Sequence, residues 1–136
     1  MASVEQGIVT LLKADADVFG LTGVRIFPWM RQQGTTFPAI VYELDGTEPE
    51  QDLDGYGGMT RATLTIRNIA ETYGGAKTLA EHVRDALNGY TGTPTNGVAI
   101  KSLVHDNDVG QVEDSVIGNS RGVSIIDSSY VVWYSD

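Results

Sequence analysis

Residues 123–134 read Val-Ser-Ile-Ile-Asp-Ser-Ser-Tyr-Val-Val-Trp-Tyr. Successive side chains of a strand point to opposite faces. Val123, Ile125, Val131 and Trp133 therefore line one face of this segment, and Ile126, Tyr130, Val132 and Tyr134 the other. A solvated strand alternates apolar with polar residues. One that is apolar on both faces lies inside a sheet or meets a partner on its second face. The rest of the chain has to supply the strands and helices that flank it.

The supply is visible along the sequence. Val4, Ile8, Leu11 and Leu12 share one helical face, with Ser3 as N-cap and Gln6 three residues on. The pattern breaks at Asp15–Asp17, and Val18, Phe19 and Leu21 read as an apolar turn closed by Gly20 and Gly23. Val24 to Trp29 reads as a strand, with Pro28 marking an edge or a strand end. After a Gln/Gly/Thr loop, Pro38 holds Phe37 extended and Ala39–Leu44 continues as a strand. Ala62, Leu64 and Ile66 alternate with Thr63, Thr65 and Arg67, a half-buried strand. Thr72 to Asn88 predicts the longer helix, with Ala76, Leu79, Ala80, Val83, Ala86 and Leu87 on its inner face and Gly89 as its stop. Val98 to Val104 is a further strand. Two polar, acid-rich stretches, 45–59 and 105–120, read as long loops.

The order is α-β-β-β-α-β-β. Without strict βαβ alternation, the expected fold is α+β: one small domain over residues 1–136, with a mostly antiparallel or mixed sheet and two helices packed on it. A chain of 136 residues with 41% apolar content buries a core without help from metal or disulfide.

Composition removes several functions. With no cysteine there is no disulfide framework, thiol nucleophile or thiolate zinc site. No stretch approaches the ~18 apolar residues of a membrane helix. The first seventeen residues lack the basic start of a secretory leader, and none is expected. A net charge of −9 disfavours general DNA binding and anionic membrane surfaces.

Candidate chemistry is sparse. Gly118-Asn119-Ser120-Arg121-Gly122 fits G-x-S-x-G, but a nucleophile elbow needs a strand before the serine, a helix after it and a later histidine. Here a strand follows, and His82 and His105 both come earlier. The two histidines have no third ligand at a metal-site spacing. Asp52-Leu53-Asp54-Gly55 and Asp106-Asn107-Asp108 are fragments of calcium loops, and neither is completed by the later glutamate. No catalytic, cofactor or metal residue is assigned, and no cofactor is expected. Trp29, Tyr56 and Met59 are large apolar residues in polar surroundings. Together with Tyr130, Val132 and Tyr134 of the last strand they are candidate interface anchors.

The order of pieces resembles the small tail-completion, or tail-terminator, proteins of long-tailed bacteriophages and prophages. The matching pieces are Asp15-Ala16-Asp17 after the first helix, Val24-Arg25-Ile26-Phe27-Pro28, and Phe37-Pro38-Ala39-Ile40-Val41-Tyr42. Leu53-Asp54-Gly55, the helix with Tyr73, Ala76, Leu79, Ala80, Val83, Arg84, Ala86 and Leu87, and Tyr130-Val131-Val132-Trp133-Tyr134 complete the likeness. The resemblance implies a structural virion protein without enzyme activity at the tail–neck junction, assembled in the host cytoplasm. Its implied assembly is a homo-oligomeric, hexameric ring that caps the head-proximal end of the tail tube, stops tube polymerisation and offers the docking surface for head joining. The implied partners are further copies of itself, the tail tube protein and the head-completion, or neck, protein. DNA passes through the channel without specific binding, and no membrane is involved. Other readings stay open: a neck or head-completion adaptor of the same virion, a small hydrolase or metal-dependent enzyme, and a bacterial binding domain with no phage link.

The negative charge is localised. Residues 45–54 hold Asp45, Glu48, Glu50, Asp52 and Asp54 with no basic residue, and residues 105–120 hold Asp106, Asp108, Glu113 and Asp114 with none. The remainder has nine acids and nine bases. If either stretch lines the channel of a ring, it is expected to repel DNA phosphates; if neither does, the two read as solvated loops or as docking surfaces for basic patches of neighbours.

Overall fold

The computed structural model describes residues 3–28, 37–52, 55–95, 97–113 and 123–135. Its elements are α1 (Val4–Ala14), α2 (Ala16–Thr22), β1 (Ile26–Pro28), β2 (Ala39–Asp52), β3 (Gly55–Ala70), α3 (Tyr73–Leu87), β4 (Ala99–Glu113) and β5 (Val123–Ser135). The fold is α+β, with three helices rather than the expected two. The additional helix, α2, comes from Asp15. Its carboxylate accepts hydrogen bonds from the backbone N–H of Asp17 and Val18, both at 3.0 Å, so the residue that ends α1 also caps α2. Ser3 caps α1 in the expected way, accepting from Gln6 N–H, and Thr72 caps α3, accepting from Gly75 N–H.

The five strands form one sheet in the order β1-β2-β3-β5-β4. β1 runs parallel to β2 and all other pairs are antiparallel, so the sheet is mixed. β5 is an inner strand, as its two apolar faces require. Its even-numbered residues join Ala62, Leu64 and Ile66 of β3, Ile40 of β2 and Ile100 and Leu103 of β4 beneath the helices. Ile8, Leu12, Leu79, Val83 and Leu87 close this core from above. Tyr130 and Val132 are fully buried there and Tyr134 nearly so. These three side chains are core residues, which corrects the reading of them as surface anchors. The odd-numbered positions of β5 face the other way.

As far as they are described, the two acid-rich stretches are hairpin strands and not long loops. β2 runs to Asp52 and β3 starts at Gly55, so residues 45–59 lie almost wholly in paired strands. β4 likewise continues through residues 105–113. The sequence hides this because apolar alternation marks a strand only where a face is buried. The last β3 residue paired with β5 in this direction is Thr60, opposite Tyr134. Beyond that level β2 and β3 continue as a two-stranded arm with no described strand beside it.

One helix is held close by two glycines. A Cβ on Gly7 of α1 would stand 2.7 Å from Pro94 Cγ and 3.1 Å from Gly97 Cα. Thr10 donates from its hydroxyl to the Thr95 carbonyl at 2.8 Å, fastening the same contact.

Candidate functional site: sheet ends, edges and the uncovered face

The two hairpins leave the sheet at opposite ends. Asp52↔Gly55 closes the β2–β3 arm beyond the Thr60↔Tyr134 level. Glu113↔Val123 closes the described part of the β4–β5 hairpin beyond the Ala70↔Ser124 level. The two hairpin tips are therefore separated by the length of the sheet, whereas Asp45 and Asp106 lie at neighbouring levels across it, on β2 and β4, with β3 and β5 between them. Trp29, Asp54, Asp114 and the Gly118–Gly122 motif lie outside the described residues. Of Glu48, Glu50, Asp52, Tyr56 and Glu113 the backbone position alone is described. Met59 is half-buried near the base of the β2–β3 arm, and Asp45 is exposed.

The outer strand β4, and β2 beyond its short pairing with β1, are each interrupted twice. β4 bulges at Lys101, between the pairs Ile100↔Tyr134 and Ser102↔Trp133, and at Asp106, between His105↔Tyr130 and Asn107↔Ser129. β2 bulges at Gly46, whose φ of +59° suits glycine, and is irregular again between Pro49 and Gln51. The inner pair β3–β5 keeps an unbroken register from Thr60 to Ala70. Bulges and charges on outer strands are devices that block addition of another strand.

The bulge at Asp106 also builds a side-chain cluster. It brings Asp108 onto the same face as His105, and the two share a hydrogen bond of 2.8 Å between Nε2 and Oδ1. A carboxylate only accepts, so the imidazole donates. The His105 ring meets Tyr130 edge to face at 5.3 Å, and its backbone N–H donates to Asn88 Oδ1 at the end of α3. Burial works to raise the Asp108 pKa. Hydrogen bonds from His105 and Ser128, with Arg84 nearby, outweigh it, and the carboxyl is held below its usual range. Burial raises the Tyr130 phenol, and the Asp108 charge adds to that. The Tyr130 hydroxyl and Asn68 Oδ1 are buried without a hydrogen-bond partner.

Beside this cluster lies a groove of about 270 Å³ between α3 and β4, lined by Tyr73, Lys77, Glu81, Arg84, Asp108 and Ile126 among others. A second depression of about 370 Å³ runs between α1 and Tyr42. The Tyr42 phenol is raised by burial and by Glu5. The histidines are not brought into one site. His82 Nδ1 lies 3.8 Å from Asp17 Oδ2, whereas His105 pairs with Asp108. No group of three metal-ligating side chains occurs among the described residues. The cluster thus has the form of a stitch between α3, β4 and β5.

The second face of the sheet carries no described helix. At one end Val41, Ile69 and Ile125 are buried with Phe37 against them. Across the middle, Arg67 Nε pairs with Asp127 Oδ1 at 3.0 Å, and the Thr65 hydroxyl donates to Asp45 at 2.7 Å. Toward the other end, Val131 and Trp133 are half-buried beside Val104 of β4, which is 51% exposed, while Val109, 55% exposed, lies opposite Asp127 at the level of the Arg67 pair. Reading by periodicity missed Val104 and Val109 as surface residues. The signal was present, since an apolar residue in an acidic, polar stretch is out of pattern.

Comparison with known proteins follows the geometry. The family model described as tail completion protein gp17 matches residues 6–115. Among solved structures, a chain from a structure titled "Virion of native gene transfer agent (GTA) particle" shares the fold. The TM-score is 0.69 at 16% identity, covering 95% of this chain and 92% of that one. No curated protein sequence matches this chain.

Proposed function

The chain belongs to the tail completion protein gp17 family, a structural component of a phage-type virion, and from that premise we propose that it assembles into a ring on the head-proximal end of the tail tube. The ring has six copies, stops tube polymerisation and presents the surface to which the head-completion, or neck, protein binds. The protein works by binding and not by catalysis. The observation that carries this reading is the family match over residues 6–115.

The fold is compatible with a connector. Two hairpins that leave one sheet at opposite ends give a subunit two separate places to contact other proteins, one toward the tube and one toward the neck. Their acids repel phosphate, so DNA passes the channel without sticking wherever they face it.

Imaging of tails made without the protein tests the assignment. Overlong tubes without a cap are the expected result. Tails of normal length that fail to join heads would assign the protein to the neck as an adaptor instead. Neutralising the acids of one hairpin, with assembly and DNA ejection measured separately, tests the part given to charge.

A further inference from the structure

Five large apolar side chains are exposed among the described residues: Phe19, Val24, Tyr73, Val104 and Val109. Four of them fall into two pairs at opposite edges of the sheet. Phe19 lies near the end of α2, and Val24 leads into β1, the outer strand on one side. Val104 and Val109 lie on β4, the outer strand on the other. Val104 pairs with Val131, and the neighbouring Trp133 pairs with Ser102, so Val104 extends into an apolar strip on the face that carries no described helix, whereas Val109 lies opposite Asp127, beyond Asn107 and Ser129.

Backbone addition at the β4 edge is disfavoured by its two bulges and by the Gly89 and Gly92 backbone already bonded to it. A neighbour therefore has to meet the subunit through side chains. The chain carries the counterpart of its own strip. The α2–β1 corner offers Phe19 and Val24 with Asp17, whose side chain is 73% exposed. The β4 strip offers Val104, with Val131 and Trp133 of β5 beside it, and the exposed Lys101. Apolar surface meets apolar surface in this pairing, and an acid meets a base.

We propose that the strip of Val104, Val131 and Trp133 receives the Phe19–Val24 corner of the next copy of the same chain, with Asp17 brought to Lys101. The two patches differ, so the contact is head-to-tail and does not close at two subunits. Repeated, it yields a ring where the rotation closes. This rests on the ring reading above and assigns its subunit contact.

The test uses the full chain, with and without tail tubes, and sizes the particles. Phe19→Glu and Val104→Glu are made separately. Both residues are exposed in the subunit, and circular dichroism checks that each variant is folded. Each variant alone is expected to lose the ring. An equimolar mixture is expected to stop at a one-to-one pair, because one intact contact remains between two blocked ends. Asp17→Lys and Lys101→Asp are each expected to weaken assembly roughly two- to fivefold, and their combination to restore it. Rings formed by either glutamate variant, or rebuilt in the mixture, overturn the proposed contact and leave the ring reading intact. A wild-type chain that stays monomeric at every concentration and on tubes overturns the ring reading with it.

Discussion

His105 and Asp108 lie three residues apart on one strand, yet their side chains meet at 2.8 Å on the same face. Residues three apart in a regular strand point to opposite faces. The extra residue Asp106 shifts the phase between them. The pair stands on Tyr130 and beside the last turn of α3, so it ties the outer strand β4 to the core.

That tie is expected to weaken in acid. The Asp108 carboxyl is held below its usual pKa in the folded chain. Its contribution is then complete above the unfolded value of about 4 and is lost as pH falls through the lower folded value. Thermal melts of the wild type and of Asp108→Asn, taken from pH 7 down to pH 2, should converge as the pH drops. Parallel curves across that range would show that Asp108 carries no such linkage.

Tyr130 offers a second test with an unusual sign. Its ring is fully buried but its hydroxyl has no hydrogen-bond partner. Removing a buried, unsatisfied polar group relieves its desolvation cost. Tyr130→Phe is therefore expected to be neutral or to stabilise the chain by up to about 1 kcal/mol. Tyr130→Ala should cost ~3–5 kcal/mol, as for other large core aromatics. Denaturant titration measures both, and a clear loss in Tyr130→Phe would mean that the hydroxyl is bonded in solution.

Glycines within the helices separate ordinary propensity from close packing. Gly74 of α3 has open space around a built Cβ, so Gly74→Ala should stabilise by up to about 1 kcal/mol. Gly7 of α1 faces Pro94 Cγ at 2.7 Å and the Gly97 backbone at 3.1 Å. There the same change should destabilise by ~1–3 kcal/mol, because α1 has to move off the turn it rests on. Melting temperatures that shift in the same direction for both variants would contradict this account of the α1 contact.

These cases also show what could be read from the amino acids. The inner position of residues 123–134 followed from apolar residues on both faces, and β3 and α3 followed from clean periods of 2 and 3.6. α2 escaped notice because seven residues hold too little periodicity and its start depends on one carboxylate, Asp15. The length of β4 escaped because its bulges shift the phase. Ile100 and Leu103 are three apart yet both lie in the core, which no period of 2 reproduces. The outer half of the β2–β3 hairpin has no described strand beside it beyond the Thr60↔Tyr134 level. The two acidic stretches were recognised by charge. That their hairpins leave the sheet at opposite ends depends on strand order, which a linear reading does not contain.

The outer strand β4 supplies the last test. The first half of its outer edge is taken by Asn88–Gly92, through the Gly92↔Ile100 bridge, the Gly89 N–H to the Leu103 carbonyl and the His105 N–H to Asn88 Oδ1; residues 106–113 have no described strand beside them, and an unguarded edge invites open-ended pairing with other chains. Asp106 sits at one of its two bulges and is exposed. Asp106→Val removes the charge and adds a strand-forming residue, so it should raise concentration-dependent light scattering and binding of a β-fibril dye. Asp106→Lys keeps a charge at the same place and should stay as soluble as the wild type. Equal solubility of all three chains would show that the bulge geometry alone guards the edge. Aggregation of both variants would show instead that the site needs the aspartate itself. A subunit that must close into a finite assembly has reason to keep this edge blocked, because ladder pairing at β4 would compete with the side-chain contact that sets the closing angle.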